Sequence, residues 1–127
     1  MKLEHIALNV SNPKEACVWY QEHLGMKIVL ANDTEPYIHF LSDGQGSMIE
    51  LYSNPIAEVP DYGAINPFTF HLAFTVDDLE GEITRLVEAG ARQEGDIQVI
   101  AGNRLVFLRD PWDITVQLVV RTVPFST

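Results

Sequence analysis

Cysteine occurs once in this chain of 127 residues, basic side chains are few, and no long apolar run interrupts the sequence. The single thiol, Cys17, rules out an intramolecular disulfide and agrees with a reducing compartment. It falls in a stretch patterned as an amphipathic helix, where a packed thiol is expected rather than a nucleophile. Eight Lys and Arg stand against 18 Asp and Glu, a formal net charge of −10. Such a surface repels phosphate backbones and anionic headgroups. It argues against nucleic-acid and membrane partners and for a small molecule held in a local pocket. No segment approaches the roughly 18 consecutive apolar residues of a transmembrane helix, and neither common Gly-rich phosphate loop is present. The opening MKLEHIALNV has a Glu inside its short apolar stretch and no small-residue cleavage site. No signal peptide is therefore expected, and a cytoplasmic location is.

What the chain does have is an internal repeat. HIALNVSN at 5–12 lies over HLAFTVDD at 71–78, and HLGMKI at 23–28 over EAGARQ at 88–93. HFLSD at 39–43 lies over VFLRD at 106–110, and MIELY at 48–52 over TVQLV at 115–119. Offsets of 65 to 67 across four blocks indicate a duplicated unit, which takes precedence over any other reading of the fold.

Each unit reads as strand, helix and three strands. The patterns predict strands over about 3–10, 26–31, 37–42 and 47–52, then 69–76, 92–99, 104–109 and 114–119, with helices over about 13–24 and 78–89. Asn12 and Pro13 suit the start of the first helix, and Asp77 and Asp78 that of the second. Gly25 and Gly90 stand where a helix C-terminus takes a left-handed residue. The repeats run over about 1–53 and 68–121, and the proline-bearing stretch 54–67 is the linker.

Alternation along strands divides the side chains. Ile6, Leu8 and Val10, with Leu72, Phe74 and Val76, are expected under the helices. His5 and His71 then fall on the opposite, concave side, joined by Glu50 and Tyr52 from one last strand and Gln117 from the other. A carboxylate flanked by Ile49 and Leu51 needs a partner, and a divalent cation with imidazole and amide ligands provides one. A strand-end histidine serves equally as a hydrogen-bonded core residue, but four such residues placed twice by a repeat favour metal. The same counting puts Tyr37, His39 and Leu41 inward, with Ile38 and Phe40 under the helix, and places Arg104, Val106 and Leu108 inward in the second unit. His39 is thereby a candidate acid/base or plain strand histidine. Arg104 is a candidate clamp for an anionic group, and Tyr37 and Tyr52 are candidate pocket walls.

LEHIALNV, WYQEHLGM, MIELY, FHLAFTVDD, LVEAGA and LRDPWDITVQLV together resemble the vicinal oxygen chelate superfamily, which holds glyoxalase I, bleomycin-resistance proteins and extradiol dioxygenases. The resemblance covers nearly the whole chain. It implies an α+β fold of two βαβββ modules forming a curved mixed sheet with helices on the outer face, completed in a homodimer. It also implies a divalent metal (Zn, Ni, Co, Fe or Mn) on His5, Glu50, His71 and Gln117. The chain departs from that pattern at DPWDITVQL, with Asp113 where glycine is usual and Gln117 where glutamate is usual. An amide cannot shuttle a proton at neutral pH, so Glu50 is the expected base. The activity implied is a glyoxalase-like lyase or isomerase acting on a small oxygenated metabolite. The alternatives are an extradiol-type dioxygenase with Fe(II) and a metal-free protein that binds a drug or metabolite.

Overall fold

The structure is a computed structural model and describes residues 1–126. Its elements are β1 (Ile6–Asn9), α1 (Pro13–Leu24), β2 (Lys27–Ala31), β3 (His39–Ser42) and β4 (Met48–Tyr52), then a 3₁₀ turn at Tyr62–Ala64. β5 (Leu72–Thr75), α2 (Leu79–Glu88), β6 (Arg92–Ile100), β7 (Asn103–Arg109) and β8 (Thr115–Val120) follow. The chain forms two compact units, Met1–Pro60 and the part from Asp61 onward. Each holds one helix and one four-stranded mixed sheet, in the orders β1-β4-β3-β2 and β5-β8-β7-β6. This is the expected α+β arrangement of two βαβββ modules.

Local chemistry explains the element ends. α1 begins at Pro13, whose missing N–H costs nothing in a first turn. It ends at Gly25 with φ 69°, a left-handed conformation that glycine adopts without strain. Asn12 takes the cap position of α1, but its side chain makes no capping hydrogen bond. α2 is capped by Asp78, whose carboxylate accepts from the Gly81 N–H at 3.1 Å. β1 is shorter than its pattern because its partner β4 begins only at Met48.

The two sheets repeat in register as well as in order. In the first unit β1 runs parallel to β4 with Ala7 opposite Glu50, and β3 runs antiparallel to β4 with Phe40 opposite Glu50. In the second, Ala73 and Phe107 stand opposite Gln117 in the same way. Both units also carry an irregularity in the second strand, between Ile28 and Leu30 and between Glu94 and Gln98. The helix-facing sides supply much of each core: Leu8, Leu41, Ile49 and Leu51 with Ala16, Cys17 and Tyr20 of α1, and Val106, Leu108, Val116 and Leu118 with Leu79 and Leu86 of α2. Each such leucine contributes about 1.5–3 kcal/mol by leaving water, which outweighs the weak intrinsic preferences of these short elements. Among the described residues no helix is long and apolar enough to cross a membrane.

Candidate functional site

The sheet face away from α1 carries His5, Phe40, Glu50 and Tyr52. His5 immediately precedes β1, and its Nε2 lies 3.0 Å from Glu50 Oε2. Its ring meets Phe40 edge-on, with centroids 5.0 Å apart. The other ring nitrogen, Nδ1, lies 2.9 Å from Glu4 Oε1. Hydrogen-bonding both carboxylates at once requires a proton on each ring nitrogen. With a single proton on Nδ1, held by Glu4, the Nε2 lone pair points toward the position that Glu50 also reaches. The Glu50 side chain is 15% exposed, so solvent screens the pair incompletely. Nearby, Asn9 ties the start of the linker down: its Nδ2 donates to the carbonyls of Asn54, Ala57 and Glu58 at 3.0–3.1 Å.

The second unit builds the same constellation from different partners. His71 precedes β5, donates from Nδ1 to the Pro67 carbonyl at 2.7 Å, and packs against Phe107 with centroids 5.3 Å apart. That backbone contact fixes the tautomer and leaves Nε2 as the free, basic nitrogen. Gln117 stands opposite Phe107 and is 8% exposed. Its carboxamide has no hydrogen-bond partner among the described residues, yet no fully enclosed polar atom is unsatisfied. The amide therefore stays open to a ligand. Phe68 meets Phe107 edge-on, with ring centroids 5.2 Å apart.

Arg109, on the same face as Gln117, went unnoticed in the sequence. It is 4% exposed and donates to the carbonyls of Tyr62, Ile65 and Asp113 and to the carboxylate of Glu94. Its guanidinium holds the Glu94 carboxyl below its ordinary range. It fastens the chain that leads into Pro67 and His71.

Three expected site residues stand elsewhere. His39 pairs opposite Leu51, which puts it on the α1 side of the sheet, and it is 3% exposed. Tyr37 precedes β3 with φ 57° and lines a cavity beside the start of α1 together with His39. Arg104 faces α2 and pairs with Glu80 there. The cause is one of parity. Pairing sets Phe40 and Phe107 opposite Glu50 and Gln117, so the odd residues of β3 and the even residues of β7 fall under the helices. The repeat already aligned Phe40 with Phe107, and that was the signal for the correct face. Tyr52 is on the Glu50 face as expected. Among the described residues no three His, Cys, Asp or Glu side chains form a metal-holding group. The units present nitrogen and oxygen donors as pairs, His5 with Glu50 and His71 with Gln117, a chemistry that fits a divalent cation.

A family model for the Glyoxalase/Bleomycin resistance protein/Dioxygenase superfamily matches residues 2–118. The chain belongs to that superfamily. Solved structures agree with it. A glyoxalase family protein from Bacillus cereus is 19% identical with a TM-score of 0.78, over 94% of this chain and 93% of that one. One from Enterococcus faecalis is 26% identical with a TM-score of 0.66, over 93% and 96%. An antibiotic binding protein, TnmS3 from Streptomyces sp. CB03234, is 18% identical with a TM-score of 0.70, over 93% of each chain. No curated protein matches the chain.

Proposed function

We propose that this member of the superfamily is a metal-dependent lyase or isomerase of the glyoxalase type, acting on a small oxygenated metabolite. The observation that carries the reading is the duplicated constellation. In each unit a histidine precedes the first strand, an oxygen donor sits mid-way along the last, and a phenylalanine stands opposite that donor. His5 with Glu50 in the first unit, and His71 with Gln117 in the second, would supply the donors for a divalent cation (Zn, Ni, Co, Fe or Mn). Such an ion stabilises negative charge developing on a substrate oxygen. Glu50 is the one carboxylate of the four and takes the substrate proton. His5 beside it is positioned to accept a hydrogen bond from, or return a proton to, the same region. Gln117 orients substrate or cation through its amide and moves no proton. Tyr52 borders Glu50 and supplies a pocket wall.

The test is a metal titration of the purified protein with Ni²⁺, Zn²⁺, Co²⁺, Fe²⁺ and Mn²⁺. At a hundredfold excess over Kd, a bound ion adds about 2.7 kcal/mol and raises Tm by roughly 10 °C. His5→Ala, Glu50→Ala and His71→Ala should each abolish that rise. No rise with any of the five ions would sink the reading. It would leave a second one, a metal-free protein that binds a drug or metabolite, for which the unpartnered amide of Gln117 and the antibiotic-binding neighbour of like fold both speak. Iron together with oxygen uptake on a catechol would instead mark a dioxygenase. A homodimer is also proposed: edge strands β2 and β6 leave Val29, Leu30, Val99 and Ile100 exposed.

A further inference from the structure

A second site lies in the first unit, on the opposite side of the sheet from Glu50. A cavity of about 460 Å³ opens beside the start of α1 and is lined by Asn12, Lys14, Glu15, Asp33, Tyr37 and His39 among others. Its volume is that of a small-molecule pocket.

Two independent features point to an occupant. The first turn of α1 is left uncapped: Pro13 has no N–H, the Asn12 side chain makes no capping bond, and the N–H groups of Lys14 and Glu15 have no acceptor among the described residues. These groups, with the helix dipole behind them, attract a negative group. The second feature is His39, which is 97% buried by its 3% exposure. Its Nδ1 donates to the Tyr37 carbonyl at 2.7 Å. Its Nε2 has no protein partner, and no enclosed polar atom is left unsatisfied among the described residues, so Nε2 opens onto the cavity that His39 lines. With Nδ1 donating, neutral Nε2 offers a lone pair and requires a donor from the ligand.

The charges on the lining decide the class. A simple anion would meet the carboxylates of Glu15 and Asp33 in a protein of net charge −10. A simple cation would meet Lys14 and the positive end of α1. One molecule carrying both charges satisfies both ends. We infer that this cavity binds a free α-amino acid, with its carboxylate on the first turn of α1 and Lys14, and its ammonium group on Asp33 and the Nε2 of His39.

The experiment screens the common L-amino acids one by one by thermal shift at about 10 mM, ten times a millimolar Kd. Calorimetry then compares each hit with its des-amino acid and with its carboxamide. At least one amino acid should bind with a Kd near 1 mM or tighter, and both analogues should bind at least tenfold more weakly. Lys14→Ala and Asp33→Asn, both at exposed positions, should each weaken binding about tenfold, and His39→Phe should do the same. If His39→Phe fails to fold, the two surface variants carry the test. The inference is overturned if no amino acid shifts Tm, if the des-amino acid binds as tightly as its parent, or if Lys14→Ala and Asp33→Asn leave Kd unchanged.

Discussion

Replacing Arg109 with methionine should cost about 3 kcal/mol of stability, and the structure shows where each part arises. The substitution keeps the apolar stem and removes the guanidinium. That group donates to Tyr62 O at 2.7 Å, Ile65 O at 2.8 Å and Asp113 O at 3.1 Å, and also holds the Glu94 carboxylate. A carbonyl stripped of its partner costs roughly 1–3 kcal/mol when it stays buried. Here the Tyr62 carbonyl keeps the Ile65 N–H at 3.1 Å, and Gly63 and Ala64 are exposed, so the turn relaxes toward water. The cost falls on the Ile65 and Asp113 carbonyls, about 1.5 kcal/mol each. The Glu94 side chain is 42% exposed and regains solvent, so its lost pairing adds little. With an unfolding entropy near 2.1 cal/mol/K per residue, Tm moves by about 4 °C per kcal/mol in a chain of this size, so a fall of about 12 °C is expected. Urea unfolding followed by circular dichroism, together with calorimetry, measures both quantities. A loss below 1 kcal/mol would refute the claim that Arg109 anchors Tyr62–Ile65. The folded variant should also show a less restrained His71 ring in NMR spectra, because the anchored segment leads directly to the Pro67 carbonyl that holds it.

Two further outcomes follow from single groups. Gln117→Glu supplies a second carboxylate and should tighten divalent-ion binding at least tenfold; in a crippled glyoxalase I relative it should also raise turnover of a hemithioacetal. Unchanged affinity in calorimetry would remove Gln117 from the ligand set. Cys17 is buried, and burial pushes its thiol up to about 12 from 9.0. Folded protein at pH 8 should resist iodoacetamide for hours while urea-unfolded protein reacts within minutes, as mass spectrometry reads directly. The same shift favours the folded state below pH 9 and is lost as pH climbs from 9 toward 12, because the unfolded thiol ionises first.

The sequence made the architecture legible because the signals were local and doubled. The strands at Lys27–Ala31 and Met48–Tyr52 and the helix at Pro13–Leu24 lie within a residue of their patterns, since alternation, Pro13 and Gly25 act over a few positions. That His5 and Glu50 share a face was legible for the same reason, because both strands alternate cleanly; their contact and parallel register were not. The faces of His39 and Arg104 were not. Both strands carry apolar residues on both sides, as PYIHFL and RLVFL show, so hydrophobicity could not set parity. Register with β4 and β8 sets it, and register is a long-range fact. Arg109 was hidden for a related reason: its three backbone partners come from a turn more than 40 residues earlier and from the loop just after it.

The repeat preserves a geometry while separating its chemistry. Both units keep the histidine, the opposing phenylalanine and the small residue beside the last strand. Glu50 and Gln117 differ by a single charge at the same register position, and the histidines follow suit. His5 touches two carboxylates, one through each ring nitrogen, whereas His71 donates its Nδ1–H to a backbone carbonyl and has a neutral amide on its sheet face. On the proposed function, the first unit supplies the proton-accepting carboxylate and the second an amide that binds and orients. A single substitution at either position, Glu50→Gln or Gln117→Glu, should exchange or equalise those roles without altering the fold, because neither side chain contributes to the helix-facing cores.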